Sequence, residues 1–531
     1  MRGVKKSRFP PFVPEGEAPK LTLGMTAARL RWALIGAILL ASVGCTTQRD
    51  PQTVVMLIEA NPISLDPRIG TDAQSERISE LIFDSLLRKD RNSNLIPSLA
   101  ERWELTDPLT YIFHLRTGVR FHNGKPLTAR DVRYTFQSLF SGEIKSAKAA
   151  SFARIASVEA PDDQTIIIKL KEPYASFLWN LTQGAFGVVP ESSGTNVGAA
   201  PIGSGPFEFV SATQDESVVL RRNAEYWGDV PNISAVEFRV VPDATTRALE
   251  LRKGSADIAL NSLTADMAGA LSREPNLLVT KAPGNSYQYI GLNLENPKLS
   301  RPVRQAIAYA INRDELIAYL WKDMVRPANS ILPPEHWAYA QDLPAYPYDP
   351  EKARQLLDQA GFHPGAGGVR LRLDMKTSTD QTGRELAAVL QNQLARVGIA
   401  LEIRSYEFAT FYADVVKGNF DLFSLRWAAG NDDPDIFEFC FASSKFPPAG
   451  ANRGHYSNAD VDRLIDAGRN TTDLEARRAA YAQVQQILNQ DLPYIHLWYM
   501  DNVAVHNNRL TNLHLFPNGN YDFLTEVILS N

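Results

Sequence analysis

The stretch RLRWALIGAILLASVGCTTQRD, Arg29 to Asp50, sets where folding can begin. Two arginines lead into an apolar run from Trp32 to Val43, followed by Gly44, Cys45 and a polar segment. A membrane-spanning helix needs about 20 apolar residues, so this run is too short to cross a bilayer. A basic flank, a short apolar core and a small residue have the order of a secretory signal. Residues 1–44 are therefore set aside from the fold, with Met25 a candidate true start, because MTAARLRWALIGAILLASVGC alone has the length of a signal. The 487 residues that remain of 531 are too many for one ordinary core and imply two or three lobes.

Cys45 is one of only two cysteines. Its position resembles a bacterial lipobox, in which the thiol is acylated, the chain is cut before it and lipid holds the new N-terminus on a membrane. Ser42 stands where the lipobox usually has Leu, and an ordinary signal with an incidental cysteine is the other reading. The chain is expected to be exported, periplasmic or cell-surface, and anchored by lipid at Cys45. A lipidated Cys45 leaves Cys440 no intramolecular partner, so buried apolar cores rather than disulfides must hold the lobes. Cys440, in the apolar IFEFCFA, reads as an inert buried thiol.

With 44% hydrophobic, 22% charged and 9% aromatic residues, the chain has the composition of a soluble globular protein. Residues 1–44 hold seven basic and two acidic side chains, so their removal takes the formal charge from −5 to −10. Such a surface excludes nucleic acid as a partner, because phosphate recognition needs a basic face.

Strand and helix signals alternate along the chain. TVVMLIEAN (Thr53–Asn61) is a β-rich run ended by Asn61-Pro62. Tyr111, Phe113 and Leu115 alternate with Ile112, His114 and Arg116, and Thr128 with Asp131 predicts a capped helix after the Asn123-Gly124 turn. PIGSGPFEFV (Pro201–Val210) joins a Gly/Pro-rich crossing to a strand, as at a domain boundary or hinge. Asp243 and Gly254 bracket a further helix. YQYIGLNL reads as a strand, SRPVRQAIAYAINRDELIAYLW as one long helical stretch, and FDLFSLRW as a strand. The alternation predicts an α/β fold with mixed sheets in several lobes.

Catalytic equipment is not visible. The eight histidines form no His-Glu-x-x-His pair and no cluster at zinc spacing, so no metal site and no cofactor are expected. There is no Gly-x-Ser-x-Gly elbow and no phosphate loop. The one dense acidic group, NDDPD (Asn431–Asp435), reads first as a polar turn closed by Pro434. An exported, multi-lobed chain without a nucleophile or metal suits a non-enzymatic binding protein whose lobes close on a small solute.

Several stretches carry a resemblance: NPISLDPRIGTDAQSERISELIFDSLL, LIPSLAERWELTDPLTYIFHLRTGVRFHNGKPLTARDVRYTF, PIGSGPFEFV, NAEYWG, SRPVRQAIAYAINRDELI and ANRGHYSNADVDRLID. The chain resembles family 5 extracellular solute-binding proteins, the peptide/nickel-binding receptors of ABC importers, from about Asn61 to about Val505. The resemblance implies a two-lobed, periplasmic-binding-protein-like fold with an additional inserted region, closing about a hinge. One lobe would comprise residues 45–77, 200–281 and 495–531, the inserted region 78–199 and the other lobe 282–494. It also implies a monomer that hands its solute to a membrane permease.

Peptide receptors of this family carry Trp-x-x-Asp before a Pro, and that Asp pairs with the peptide ammonium. Here RWAAGNDDPDIF matches at Trp427 but has Gly430 at the Asp position. Asp432 or Asp433 is the candidate substitute; a ligand without a free amine is the alternative. Arg426 and Arg453 are candidates to meet a carboxylate in bidentate geometry. Tyr287, Trp427 and Trp498 are candidate cleft walls. A short peptide is the expected ligand. An opine, a glycan or a chelated metal, or a chaperone or sensor without a permease, are the other readings.

Overall fold

Thr53–Ile58 pairs in parallel with Ala235–Val240 on one side and Ile258–Leu260 on the other. A parallel strand covered on both faces reads as a continuous apolar run, which is why TVVMLI does not alternate. The computed structural model describes residues 50–92, 94–182, 186–191, 193–427 and 433–530. Cys45, Gly430 and Asp432 therefore lie outside the described residues. Within one compact unit, Gln52–Asn531, eleven strands form a single mixed sheet.

In the first half of that sheet, Ala235–Val240 continues antiparallel into Ser217–Arg222 and then Phe207–Thr213. In the second half, Leu371–Ser378 lies parallel between Ile399–Tyr406 and Leu422–Trp427. Two long antiparallel strands, Leu277–Leu292 and Tyr494–Asn507, run through both halves. Their ladder breaks register between Ala282 and Ser286 and again between Gln288 and Tyr289. Such bulges interrupt the hydrogen bonding and bend the strand. At the first break a side chain at Gly284 would overlap the Met500 carbonyl oxygen, so only glycine fits. Arg326 braces the same point, donating to the Gly284 carbonyl at 3.1 Å, to Asp501 at 2.9 Å and to Glu335 at 2.7 Å.

Each half has an apolar core on both faces of the sheet. Val54, Met56, Phe207 and Phe238 pack on one face of the first half, with Val55, Leu57, Leu251 and Val505 on the other. In the second half Ile290, Ile307, Leu357 and Leu390 oppose Tyr289, Phe423, Phe437 and Tyr481. A separate core between Leu86 and Val188 fills a four-stranded antiparallel sheet and the helix Ala129–Phe140. The Asp131 carboxylate accepts the Thr128 N–H at 2.8 Å, as the sequence spacing implies. The helix Ala73–Ile82 sends Ile78, Leu81 and Ile82 into the Val54 core, so the separate core begins after it.

One expected element differs. The helical stretch over Arg301–Trp321 is broken at Ile311, which is extended (φ −94°, ψ 114°). The Asn312 side chain accepts the Glu315 N–H at 3.1 Å and starts a second helix. Local capping by Asn wins there over apolar periodicity.

The crossing Pro201–Pro206 returns the chain from the Leu86–Val188 core to the main sheet. A methyl group at Gly203 would overlap the Ile82 carbonyl oxygen at the end of helix Ala73–Ile82. Gly203→Ala is expected to destabilise the protein by about 2 kcal/mol, the cost of overpacking against backbone. Urea denaturation checks this; an unchanged midpoint would show that the crossing has room to shift.

Candidate functional site

The parallel strands of both halves point at the crossing between them, the register-broken stretch of the Leu277–Leu292 and Tyr494–Asn507 pair. Leu422 lies opposite Leu292 and Trp427 opposite Tyr287, so that strand runs toward the register breaks. Ile258 lies opposite His506 and Leu260 opposite Ala504, so the first half's strands run toward them from the other side. The carboxyl ends of two sets of parallel strands thus meet across the crossing, where open α/β sheets bind ligands. Helices begin there as well. Asp72, Asp243 and Thr264 cap helices of the first half; Asp380 and Glu407 cap helices of the second. Four of these five caps are carboxylates, so the positive dipole ends there are already met by negative charge.

Trp427 is half-buried at its strand end. The Arg453 guanidinium lies 5.3 Å over its ring, and Phe439 meets it edge-on at 6.1 Å. Arg453 is only 7% exposed. It donates to the Tyr412 hydroxyl at 3.0 Å and the Tyr289 hydroxyl at 3.3 Å, and it stacks on the Tyr412 ring at 5.3 Å. Among the described residues no carboxylate forms an ion pair with it.

Arg426, next to Trp427, is exposed to water yet crowded by protein. Desolvation lowers its pKa, Asp380 opposes that, and the positive charge of Arg77 from the first half lowers it further. A side chain that is both wetted and crowded is the mark of a concave surface. Among the described residues Arg426 has no ion-pair partner.

Asp433 is engaged elsewhere. Both of its oxygens accept from Arg477 Nη2 at 2.9 Å, and the Ser176 hydroxyl donates to it at 2.6 Å. Burial raises its pKa, with Arg477 opposing. Tyr287 and Trp498, expected as cleft walls, are core residues instead, 0% and 1% exposed. Alternation explains the difference: near the crossing both faces of the sheet are covered, so neither face of these strands is free. Cys440 is fully buried, and burial pushes its thiol pKa up, away from the reactive thiolate.

The structure therefore brings Trp427 and Arg453 together, leaves Arg426 on the opposite face of the same strand, buries Tyr287 across the ladder from Trp427, and places Trp498 in the core and Asp433 on Arg477. Tyr412 and Arg77 were not visible as site residues. The helix Phe408–Val416 did carry a signal, because Phe408 and Tyr412 are 56% and 39% exposed on an element whose aromatic residues would otherwise be core. Arg77 carried none, being one basic residue on a helix more than 300 positions away in sequence.

A family model described as bacterial extracellular solute-binding proteins, family 5, middle, matches residues 94–446. Glutathione-binding protein GsiB of Salmonella choleraesuis is 28% identical over 498 residues, spanning 91% of this chain and 96% of that protein. The structure of HbpA2 from Haemophilus parasuis superposes with a TM-score of 0.81 at 25% identity, covering 90% of this chain and 100% of the other. DppA from Helicobacter pylori, in complex with the peptide STSA, gives a TM-score of 0.73 at 27% identity over 90% and 98% of the two chains.

His496, inside the crossing, hydrogen-bonds the buried Tyr287 hydroxyl. Burial, with nearby Arg313 adding to it, lowers its pKa to about 3. Its folded pKa is below the unfolded value of about 6.5, so its contribution is whole above pH 6.5 and is lost as pH falls toward 3, at about 1.4 kcal/mol per unit. The stability difference between the wild type and His496→Gln should shrink along that slope from pH 6.5 to 5 in urea denaturation. A pH-independent difference would contradict a buried neutral imidazole.

Proposed function

Because the chain belongs to family 5 of the bacterial extracellular solute-binding proteins, we propose that it captures short peptides between its two halves and delivers them to an ABC permease in the membrane. GsiB and the peptide-bound DppA support a peptide as the solute class. The observation that carries the reading is Arg453. It is a buried guanidinium stacked on Trp427, with phenols as its hydrogen-bond partners and no ion-paired carboxylate among the described residues. Burying a charge without a counter-charge is costly, and a ligand carboxylate supplies one. Arg426, on the opposite face of the strand from Trp427, has Asp380 and Arg77 as its charged neighbours.

The peptide ammonium needs a different partner from the family's usual Asp, because position 430 is Gly. Asp433 is an unsuitable substitute while Arg477 and Ser176 occupy it. Glu59, exposed at the carboxyl end of Thr53–Ile58 and accepting from Gln74 Nε2 at 3.2 Å, is one candidate acid on the first half. Capture requires no covalent step. The halves close about the register breaks at Ala282–Ser286, and the closed form is the one the permease reads. The part between residues 78 and 199 acts as an insertion in the first lobe.

Isothermal titration with glutathione and with di- and tripeptides tests the reading. Trp427→Ala should weaken binding about tenfold, the usual cost of losing an aromatic anchor. Arg453→Gln should weaken it at least as much, and C-terminal amidation of the peptide should cost affinity in the wild type but not in Arg453→Gln. Equal losses on amidation in both proteins would remove Arg453 as the carboxylate partner. No binding of any peptide would remove peptides as the solute.

Export and lipidation at Cys45 complete the proposal. Among the described residues no helix is long and apolar enough to cross a membrane. Cys45→Ser should move the protein from the detergent-dependent fraction to the soluble one. Continued membrane fractionation would reject the lipid anchor.

A further inference from the structure

The strand Thr53–Ile58 lies between two parallel neighbours, and the chain leaves the three strands on different sides of the sheet. After Thr53–Ile58 it enters the helix Ala73–Ile82, whose Ile78, Leu81 and Ile82 pack with Val54 and Met56. After Ala235–Val240 it enters Ala244–Lys253, and after Ile258–Leu260 it enters Ala265–Leu271. Leu251, Ala268 and Leu271 of those two helices pack on the opposite face, with Val55 and Leu57. Connections that part in this way open a crevice outside the carboxyl end of the middle strand, the usual ligand position in an open α/β sheet. Glu59 is the first residue past that end, one position after Ile58, and it is exposed.

A buried chain of hydrogen bonds reaches this exposed carboxylate. The Tyr521 hydroxyl donates to Gln74 Oε1 at 2.7 Å, and Gln74 Nε2 donates to Glu59 Oε2 at 3.2 Å. The sense of the chain is fixed, because a turned amide would set its carbonyl oxygen against the carboxylate. Tyr521 and Gln74 are both buried. The Tyr521 ring stacks on Phe238 at 5.4 Å and carries the Arg77 guanidinium 5.6 Å over its face. The outer end of the chain is therefore tied to the first half's core.

The other acids near these strand ends are spent on the backbone. Asp72 accepts the Ser75 N–H at 3.0 Å and the Ile63 N–H at 3.2 Å, and Asp243 accepts the Thr246 N–H at 2.7 Å. Glu59 caps nothing, and among the described residues no cation forms an ion pair with it. Its cationic neighbour Arg247 donates to the carbonyl oxygens of Val241, Pro242 and Ser262. Burial lowers the Arg247 pKa, and Glu59 opposes that through space.

We propose that Glu59 receives the ammonium of the solute, with Gln74 and Tyr521 as positioning residues that hold its carboxylate at the mouth of the crevice. This deepens the peptide reading and rests on it. A carboxylate held in advance loses less freedom when the ammonium arrives than a free glutamate side chain does. The first half thus supplies the anionic partner that position 430 does not, while Arg453 of the second half takes the other end of the solute.

The test compares trialanine and pentaalanine with their N-acetyl forms by isothermal titration, using the full chain. The two peptides span about 10 and 17 Å when extended. N-acetylation removes the ammonium and should cost the wild type roughly tenfold in Kd, the usual weight of a charge-assisted hydrogen bond. Glu59→Gln should bind the free peptides more weakly by the same factor and lose the acetylation penalty. Gln74→Met keeps the volume and deletes the donor, so it should shrink the penalty severalfold with Glu59 still present. Tyr521→Phe should act in the same direction, and it carries the comparison if Gln74→Met does not fold. A Gln74 that only supports the fold would lower the urea midpoint and leave the penalty whole. An undiminished penalty in Glu59→Gln overturns the assignment while the peptide reading stands. A wild type that binds none of the peptides overturns both.

Discussion

Both halves of the molecule hang from one antiparallel pair, Leu277–Leu292 with Tyr494–Asn507. Everything at the candidate site depends on that pair being continuous in hydrogen bonding yet broken in register. Continuity makes a single eleven-stranded sheet, so the two sets of parallel strands are aimed at each other with little freedom in the plane. The break between Ala282 and Ser286 interrupts the ladder between the two halves. Gly284 and Arg326 show how the break is kept orderly: glycine permits the close backbone approach, and the arginine satisfies the carbonyl that the ladder abandons.

That constraint also explains which features local sequence revealed. Thr53–Ile58, Ala235–Val240 and the Asp243-capped helix are specified by their own residues, through apolar continuity, alternation and a side-chain cap respectively. The same holds for Tyr111, Phe113 and Leu115, which alternate because only one face of their sheet is covered by the core. YQYIGLNL, by contrast, looks like an ordinary strand although it is the second half of a sixteen-residue element shared between two cores. Its partner begins more than 200 positions later, and pairing over that distance leaves no local period. The break at Ile311–Asn312 was hidden for the opposite reason: Ile311 fits the apolar stripe, while the capping competence of Asn312 counts only once Gln393 and Glu315 are in place.

The candidate site divides along the same line. Trp427 was legible from its motif, and Arg426 and Arg453 from their charge. What could not be read was the direction of each side chain. Tyr287, directly across the ladder from Trp427, is consumed by the core, whereas Trp427 at its strand's end stays half open. Asp433 was a reasonable ligand candidate by type, but a carboxylate is only as available as its neighbours leave it. Arg477, 44 positions on, and Ser176, 257 positions back, occupy it.

Charge gives the deepest connection between these parts. The chain beyond residue 44 is net acidic, and the strand ends that meet between the halves carry charges of both signs. Arg77 of the first half lies near enough to Arg426 of the second to act on it, with Asp380 opposing, while Arg453 stacks on Trp427. Two like charges such as Arg77 and Arg426, presented from opposite halves, repel in the empty closed form. The repulsion, unlike apolar contact, reverses sign when an anionic group sits between them. A solute carboxylate would then favour closure by removing a penalty as well as by making bonds, and an uncharged solute of the same shape would gain only the contacts.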